Sequence, residues 1–194
     1  GTTTRAADLT ARAGALAKGG NQEVSISFSA PVLPASATDL NNYSLMGPDG
    51  TIEEARYVPM ANAAILTVSG LTLSNSYTLS VSNVVGDPDS TSTIQTNLTF
   101  TARDMTWAGV GGNETGVPQD VVAVGDDGFS VVSGALVFFS SATGFSYEET
   151  TFAYEPIAGD FDRAVQVESQ DVGSEWSRAG LMVREAVDEG LPPQ

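Results

Sequence analysis

The side chains whose spacing could do chemistry in this chain are chiefly carboxylates and aromatic rings. Its 194 residues include no cysteine and no histidine, while acids outnumber bases 24 to 8. That excludes thiolate nucleophiles, Ser-His-Asp triads, imidazole bases and the common zinc sites. The first candidates are paired carboxylates. Asp160 and Asp162 are two residues apart and Glu168 has the same parity, so on a strand all three share one face. Two carboxylates about 5–9 Å apart can hydrolyse a glycosidic bond. Glu185, Asp188 and Glu189 lack a matching spacing.

The second candidates are loop carboxylates. Ca²⁺ takes about six to eight oxygen ligands from carboxylates and loop carbonyls. Asp87-Pro88-Asp89-Ser90 and Asp126-Asp127-Gly128 place acids in loops, and Asp120 precedes the second. Neither completes a D-x-D-x-D-G-x₅-E loop. Asp87, Asp89, Asp120, Asp126 and Asp127 are therefore the candidate calcium ligands, with ordinary turn chemistry as the competing reading. No other cofactor is expected. The third candidates are Trp107, Tyr147, Tyr154 and Trp176, since a pyranose stacks its CH-rich face on an indole or phenol. Trp176 immediately precedes an apolar run, where core packing competes with sugar binding.

The elements that must position these residues are read from periodicity. Residues 1–20 stand apart: Leu9, Ala13 and Leu16 recur at helical spacing within an alanine-rich run, and Gly19-Gly20 would end a helix there. This leader is expected to be a helical arm or linker. Residues 21–102 read as a β-module. Val24, Ile26 and Phe28 alternate with serines, and Ile52–Val58, Ala64–Val68, Tyr77–Val81 and Leu98–Thr101 follow with turns between them. About seven short strands at this spacing fit a two-sheet sandwich.

A second module is expected over 103–194, entered through a linker or entry strand, Arg103–Gln119, that holds Trp107. Val121–Val124, Phe129–Val132, Ala135–Phe139 and Phe145–Tyr154 are its early strands, with a hairpin signal at Asp127-Gly128. In Gly159–Asp188, Phe161, Arg163, Val165 and Val167 alternate with Asp162, Ala164, Gln166 and Glu168, which predicts a half-buried strand. Ala179, Leu181 and Val183 alternate with Gly180, Met182 and Arg184 in a second predicted strand. So apolar a pair needs covering, and only ten residues follow Arg184.

Two stretches resemble known families. V-x-I-x-F-S-x-P-V from Val24, N-Y-S-L from Asn42, L-T-V-S-G-L from Leu66 and Y-T-L-S-V-S-N-V from Tyr77 resemble bacterial Ig-like domains. Those modules space and present other domains and bring no catalytic residues. Gly159-Asp160-Phe161 with Val165, Val167, Glu168 and Ser169, then Trp176 and Ala179–Glu185, resembles concanavalin A-like (jelly-roll) modules related to "regulation of enolase protein 1". Glucanases of that fold class carry an E-x-D-x-x-E or E-x-D-x-E strand, which this sequence lacks. The resemblance thus implies a non-catalytic sandwich and covers only its early strands.

The expected fold class is all-β: an Ig-like β-sandwich followed by a partial concanavalin A-like jelly-roll sandwich. A net charge of −16 repels nucleic acid and anionic lipid, and no apolar run is long enough for a membrane helix. Few lysines and many Thr, Ser, Gly and Asp suit a secreted or cell-surface protein. The expected function is non-catalytic adhesion or carbohydrate recognition, with polysaccharide as partner. The alternative is a structural subunit of a filament or S-layer-like assembly, with other copies of the chain as partners that complete its open sheet edges. A weaker alternative is an accessory region of a polysaccharide-degrading enzyme.

Overall fold

The computed structural model describes residues 9–47, 49–87, 92–110, 119–132, 137–139, 146–148, 150–171, 179–181 and 183. Among them strand accounts for 55% and helix for 7%, so the chain is all-β. A six-stranded sheet is its centre. It contains β1 (Ala11–Lys18), β2 (Asn21–Phe28), β4 (Thr51–Val58), β5 (Ala63–Ser69), β8 (Thr106–Val110) and β13 (Thr150–Tyr154), in the order β13-β8-β1-β2-β5-β4. Every pairing is antiparallel except the parallel one of β1 with β8, which meet at Ala17 and Thr106. Strands from either side of residue 102 therefore share one sheet.

The leader corrects the sequence reading. Ala11–Lys18 is an inner strand of this sheet, not a helix. Helix propensity is a weak prior that packing overrides, and packing here acts from both sides. Ala13 and Ala15 face the apolar core with Val24 and Ile26, while Gly14 and Leu16 face a second layer. Small residues at every second position allow both layers to approach. A β-carbon at Gly14 would run into the Gly125 carbonyl and come within 2.8 Å of the Ala123 methyl. Ala11, Ala13, Ala15 and Ala17 carry a period of two beside the helical one, and the two patterns coincide in sequence.

One face of the sheet packs on a three-stranded sheet of β3 (Tyr43–Met46), β6 (Ser76–Val85) and β7 (Thr93–Thr101), in the order β3-β6-β7. Between them lie Val24, Ile26, Phe28, Ala64, Leu66 and Val68 on one side, and Tyr77, Leu79, Val81, Val84, Ile94 and Phe100 on the other. Burying each of the larger side chains contributes about 1.5–3 kcal/mol. The Tyr77 and Phe100 rings stack at 5.7 Å. Core tyrosines also satisfy loop backbone: Tyr43 donates to the Ala37 carbonyl at 2.7 Å, and Tyr77 accepts from the Thr72 amide at 2.8 Å. Burial, with Asp39 adding, raises the Tyr43 phenol well above its ordinary range.

The other face is covered by a hairpin of β9 (Asp120–Val124) and β10 (Gly128–Val132). Ser25 accepts from the Ala123 amide at 3.2 Å and Ser27 donates to its carbonyl at 3.4 Å. The serines that alternate along β2 thus satisfy the backbone of a second layer, and Ser25 is fully buried. At the hairpin turn, Asp126 accepts from the Thr101 amide and hydroxyl at 3.1 and 3.2 Å, joining it to the end of β7. A small pairing of β11 (Val137–Phe139) with β12 (Ser146–Glu148) completes the described strands.

The predicted strand from Phe161 to Glu168 is absent. Residues 155–171 contain no strand or helix and are exposed throughout, as are residues 179–181 and 183, where the second strand was expected. A strand is stable only when its backbone groups are paired. Among the described residues no sheet accepts these.

Candidate functional site

Two features stand out once the side chains are placed, a buried charge cluster and the exposed apolar segment. The cluster forms where the hairpin meets the central sheet. Alternation along β2 turns Glu23 to the same face as Ser25, and β4 presents Arg56 to that face from the far side of β5. Asp120 opens β9 above them. Arg56 donates from Nη2 to Glu23 Oε1 at 3.1 Å and to Asp120 Oδ1 at 3.0 Å, and from Nη1 to Asp120 Oδ2. Trp107, on β8, donates Nε1–H to Glu23 Oε2 at 2.7 Å. The Lys18 ammonium lies 3.9 Å from Glu23 Oε1 and 3.5 Å from the centre of the Trp107 ring.

Glu23 and Asp120 are each only 6% exposed, so their charges need compensation inside the protein. Both carboxylates have it. Burial alone would lower the Arg56 pKa, but the hydrogen bonds and charges of Asp120 and Glu23 outweigh it and leave the value raised. Charge-assisted, forked bonds of this kind fix geometry strongly. All four carboxylate oxygens are engaged by Arg56 or Trp107. The cluster is built to hold the hairpin on the sheet, and it offers no free carboxylate for proton transfer.

The sequence candidates disperse. Trp107 is half-buried, with its N–H on Glu23 and Lys18 over its ring. Tyr154 is half-buried at the end of β13. Tyr147 lies on β12, opposite Phe138. Trp176 lies outside the described residues. Asp120 is held by Arg56 and Asp126 by Thr101, while Asp87 and Asp127 are exposed. Asp89 lies outside the described residues. Among those described, no group of three or more Asp or Glu is placed to hold a metal ion. Asp160, Asp162 and Glu168 are exposed and share no strand, and Glu185, Asp188 and Glu189 lie outside the described residues.

The second feature is apolar. Phe161 is 47% exposed, Val165 57%, Val167 46%, Leu181 57% and Val183 66%. Among the described residues, the hydrogen bonds of this segment stay within it: Arg163 Nε to Glu155 Oε1 at 2.8 Å and Arg163 Nη1 to the Asp162 carbonyl at 3.5 Å. Side chains with the alternation of a strand thus sit in water.

Compared with known proteins, the chain matches no family model, no curated protein and no solved structure. Sequence reasoning missed the Glu23–Arg56–Asp120 cluster, whose members are distant in sequence. The available signal was modest: Glu23 and Arg56 are charges set inside strand patterns, and Asp120 immediately precedes an apolar run.

Proposed function

We propose that the chain is a non-catalytic module of a secreted or cell-surface protein, and that it works by strand addition. In this reading an Ig-like sandwich carries the opening strands of a concanavalin A-like one. The segment around 161–183 becomes sheet only when another edge supplies its hydrogen bonds. The carrying observation is the exposure of Phe161, Val165 and Val167 in a stretch whose alternation is that of a half-buried strand. The engagement of both buried carboxylates by Arg56 and the lack of histidine and cysteine support a non-catalytic role. The structural-subunit reading is therefore placed ahead of carbohydrate recognition.

Carbohydrate recognition remains as a second reading, favoured by the outer face of the β3-β6-β7 sheet. Ser44, Ser76, Thr78, Ser80, Asn97 and Thr99 present hydroxyls and an amide there without a single charge. Such a face suits a neutral polysaccharide. Light scattering after size exclusion separates the two readings. Strand addition predicts a mass that rises with concentration and falls to the monomer in a Val165→Asp/Val167→Asp variant. A monomer at every concentration that sediments with an insoluble neutral polysaccharide would favour recognition instead.

A further inference from the structure

We infer that β7 is the acceptor edge, and that the strand it accepts is residues 161–168 of a second copy of this chain. This rests on the strand-addition reading and specifies its interface. Among the described residues β7 ends the three-stranded sheet, with β6 on one side only. Its nine residues, TIQTNLTFT, include no charge and no proline. Natural sheets normally guard such edges with charges, prolines or short strands. The other edges are guarded or short. β4 carries Glu53, Glu54 and Arg56 and a register shift between Ile52 and Glu54. β3 has four residues and β13 has five, with Thr151 Oγ1 of β13 donating to the Val132 carbonyl. Among the described residues, the backbone of Thr93–Thr101 is bonded outside its sheet only where the Thr101 amide meets Asp126.

Charge selects the same edge. Copies of a chain with a net charge of −16 repel one another. The donor segment adds Asp162 and Glu168, partly balanced by Arg163. Against β4 those acids would face Glu53 and Glu54 within the strand, whereas β7 itself carries no charge and meets one only at its end, where Asp126 bonds the Thr101 amide. The two faces also match. Ile94, Leu98 and Phe100 of β7 point to the core side, where Leu98 at the sheet edge is half-buried. A strand placed beside it with Phe161, Val165 and Val167 inward extends that apolar layer. Arg163 shares the inward parity and extends its stem to the rim. Ala164 and Gln166 then continue the outer row of Gln95, Asn97 and Thr99. Donor and acceptor are different surfaces, so the contact is heterologous and propagates head to tail unless it closes into a ring.

The absence of cysteine gives a direct test on the full chain. Chains carrying Asn97→Cys are mixed with chains carrying Ala164→Cys, and Thr99→Cys with Gln166→Cys to sample register. The proposal expects mixed disulfide dimers well in excess of either same-variant dimer. It also expects Asn97→Lys, without any cysteine, to weaken association by about tenfold or more. A disulfide that forms inside one chain carrying both cysteines would overturn the second-copy assignment. Association that Val165→Asp/Val167→Asp abolishes, but that never cross-links through β7 and ignores Asn97→Lys, would overturn the β7 assignment and leave strand addition standing. A wild-type chain that stays monomeric throughout would remove both.

Discussion

Arg56 and Asp120, 64 residues apart, meet through both guanidinium terminal nitrogens and both carboxylate oxygens. Arg56 belongs to an edge strand of the central sheet and Asp120 to the hairpin packed on it. The same guanidinium holds Glu23 on β2. One cation thus fixes two buried anions on different layers. Removing it strips Asp120 of its ion-pair partner and leaves Glu23 with only the Trp107 N–H and the more distant Lys18 ammonium, the costly way to break a buried ion pair. Arg56 is itself partly exposed, so solvent recovers part of the loss. Arg56→Met is expected to cost about 2–3 kcal/mol in urea unfolding. A double-mutant cycle with Asp120→Asn should give a coupling of about 1 kcal/mol or more. Simple additivity would mean the pair does not hold the layers together.

Gly14 marks the closest approach of the same two layers. A methyl there meets the Gly125 carbonyl and the Ala123 side chain. Both belong to a hairpin pinned by Ser25, Ser27 and Asp126, so neither retreats freely. Gly14→Ala is expected to destabilise by about 1–3 kcal/mol despite its better intrinsic propensity. An unchanged urea midpoint would mean that the hairpin is loosely seated.

Tyr43 couples stability to alkaline pH. Its phenol is raised above the ordinary value of 10.0, chiefly by burial. The unfolded chain therefore loses this proton first, and stability is full below pH 10 and falls as pH rises through the window up to the folded value. Tyr43→Phe is expected to cost about 1 kcal/mol at neutral pH through the lost bond to Ala37. It should also show a shallower loss of stability above pH 10. An identical alkaline slope in the two proteins would show that Tyr43 is not buried as described.

Most of the fold could be read from sequence because a period of two is informative wherever one face is apolar. The strands containing Val24–Phe28, Ile52–Val58, Ala64–Val68 and Tyr77–Val81 follow from that alternation. Two readings failed where a local pattern had to be settled by distant contacts. Ala11–Lys18 carries helical and strand periods together, and only layers on both faces choose between them. Phe161–Glu168 has an unambiguous strand pattern and no described sheet to join. The charge cluster is a third kind of case. Glu23, Arg56 and Asp120 meet only through the seating of the hairpin across the sheet, which neither spacing nor composition encodes.

The exposed segment makes the sharpest separation between stability and assembly. Phe161, Val165 and Val167 are exposed and belong to none of the core clusters of the described body, so Val165→Asp/Val167→Asp should change its unfolding free energy by no more than about 0.5 kcal/mol. The same variant should abolish association. A marked drop in stability of the isolated monomer would mean that these valines already pack within one chain.

Residues 161–168 are proposed to become a strand against a second copy. Amide hydrogen exchange of the peptide spanning Phe161–Glu168, followed by mass spectrometry on the full chain in dilute and concentrated solution, tests it most directly. Near-unprotected exchange is expected when dilute, slowing with concentration together with Thr93–Thr101. Unprotected exchange of 161–168 at every concentration would contradict it.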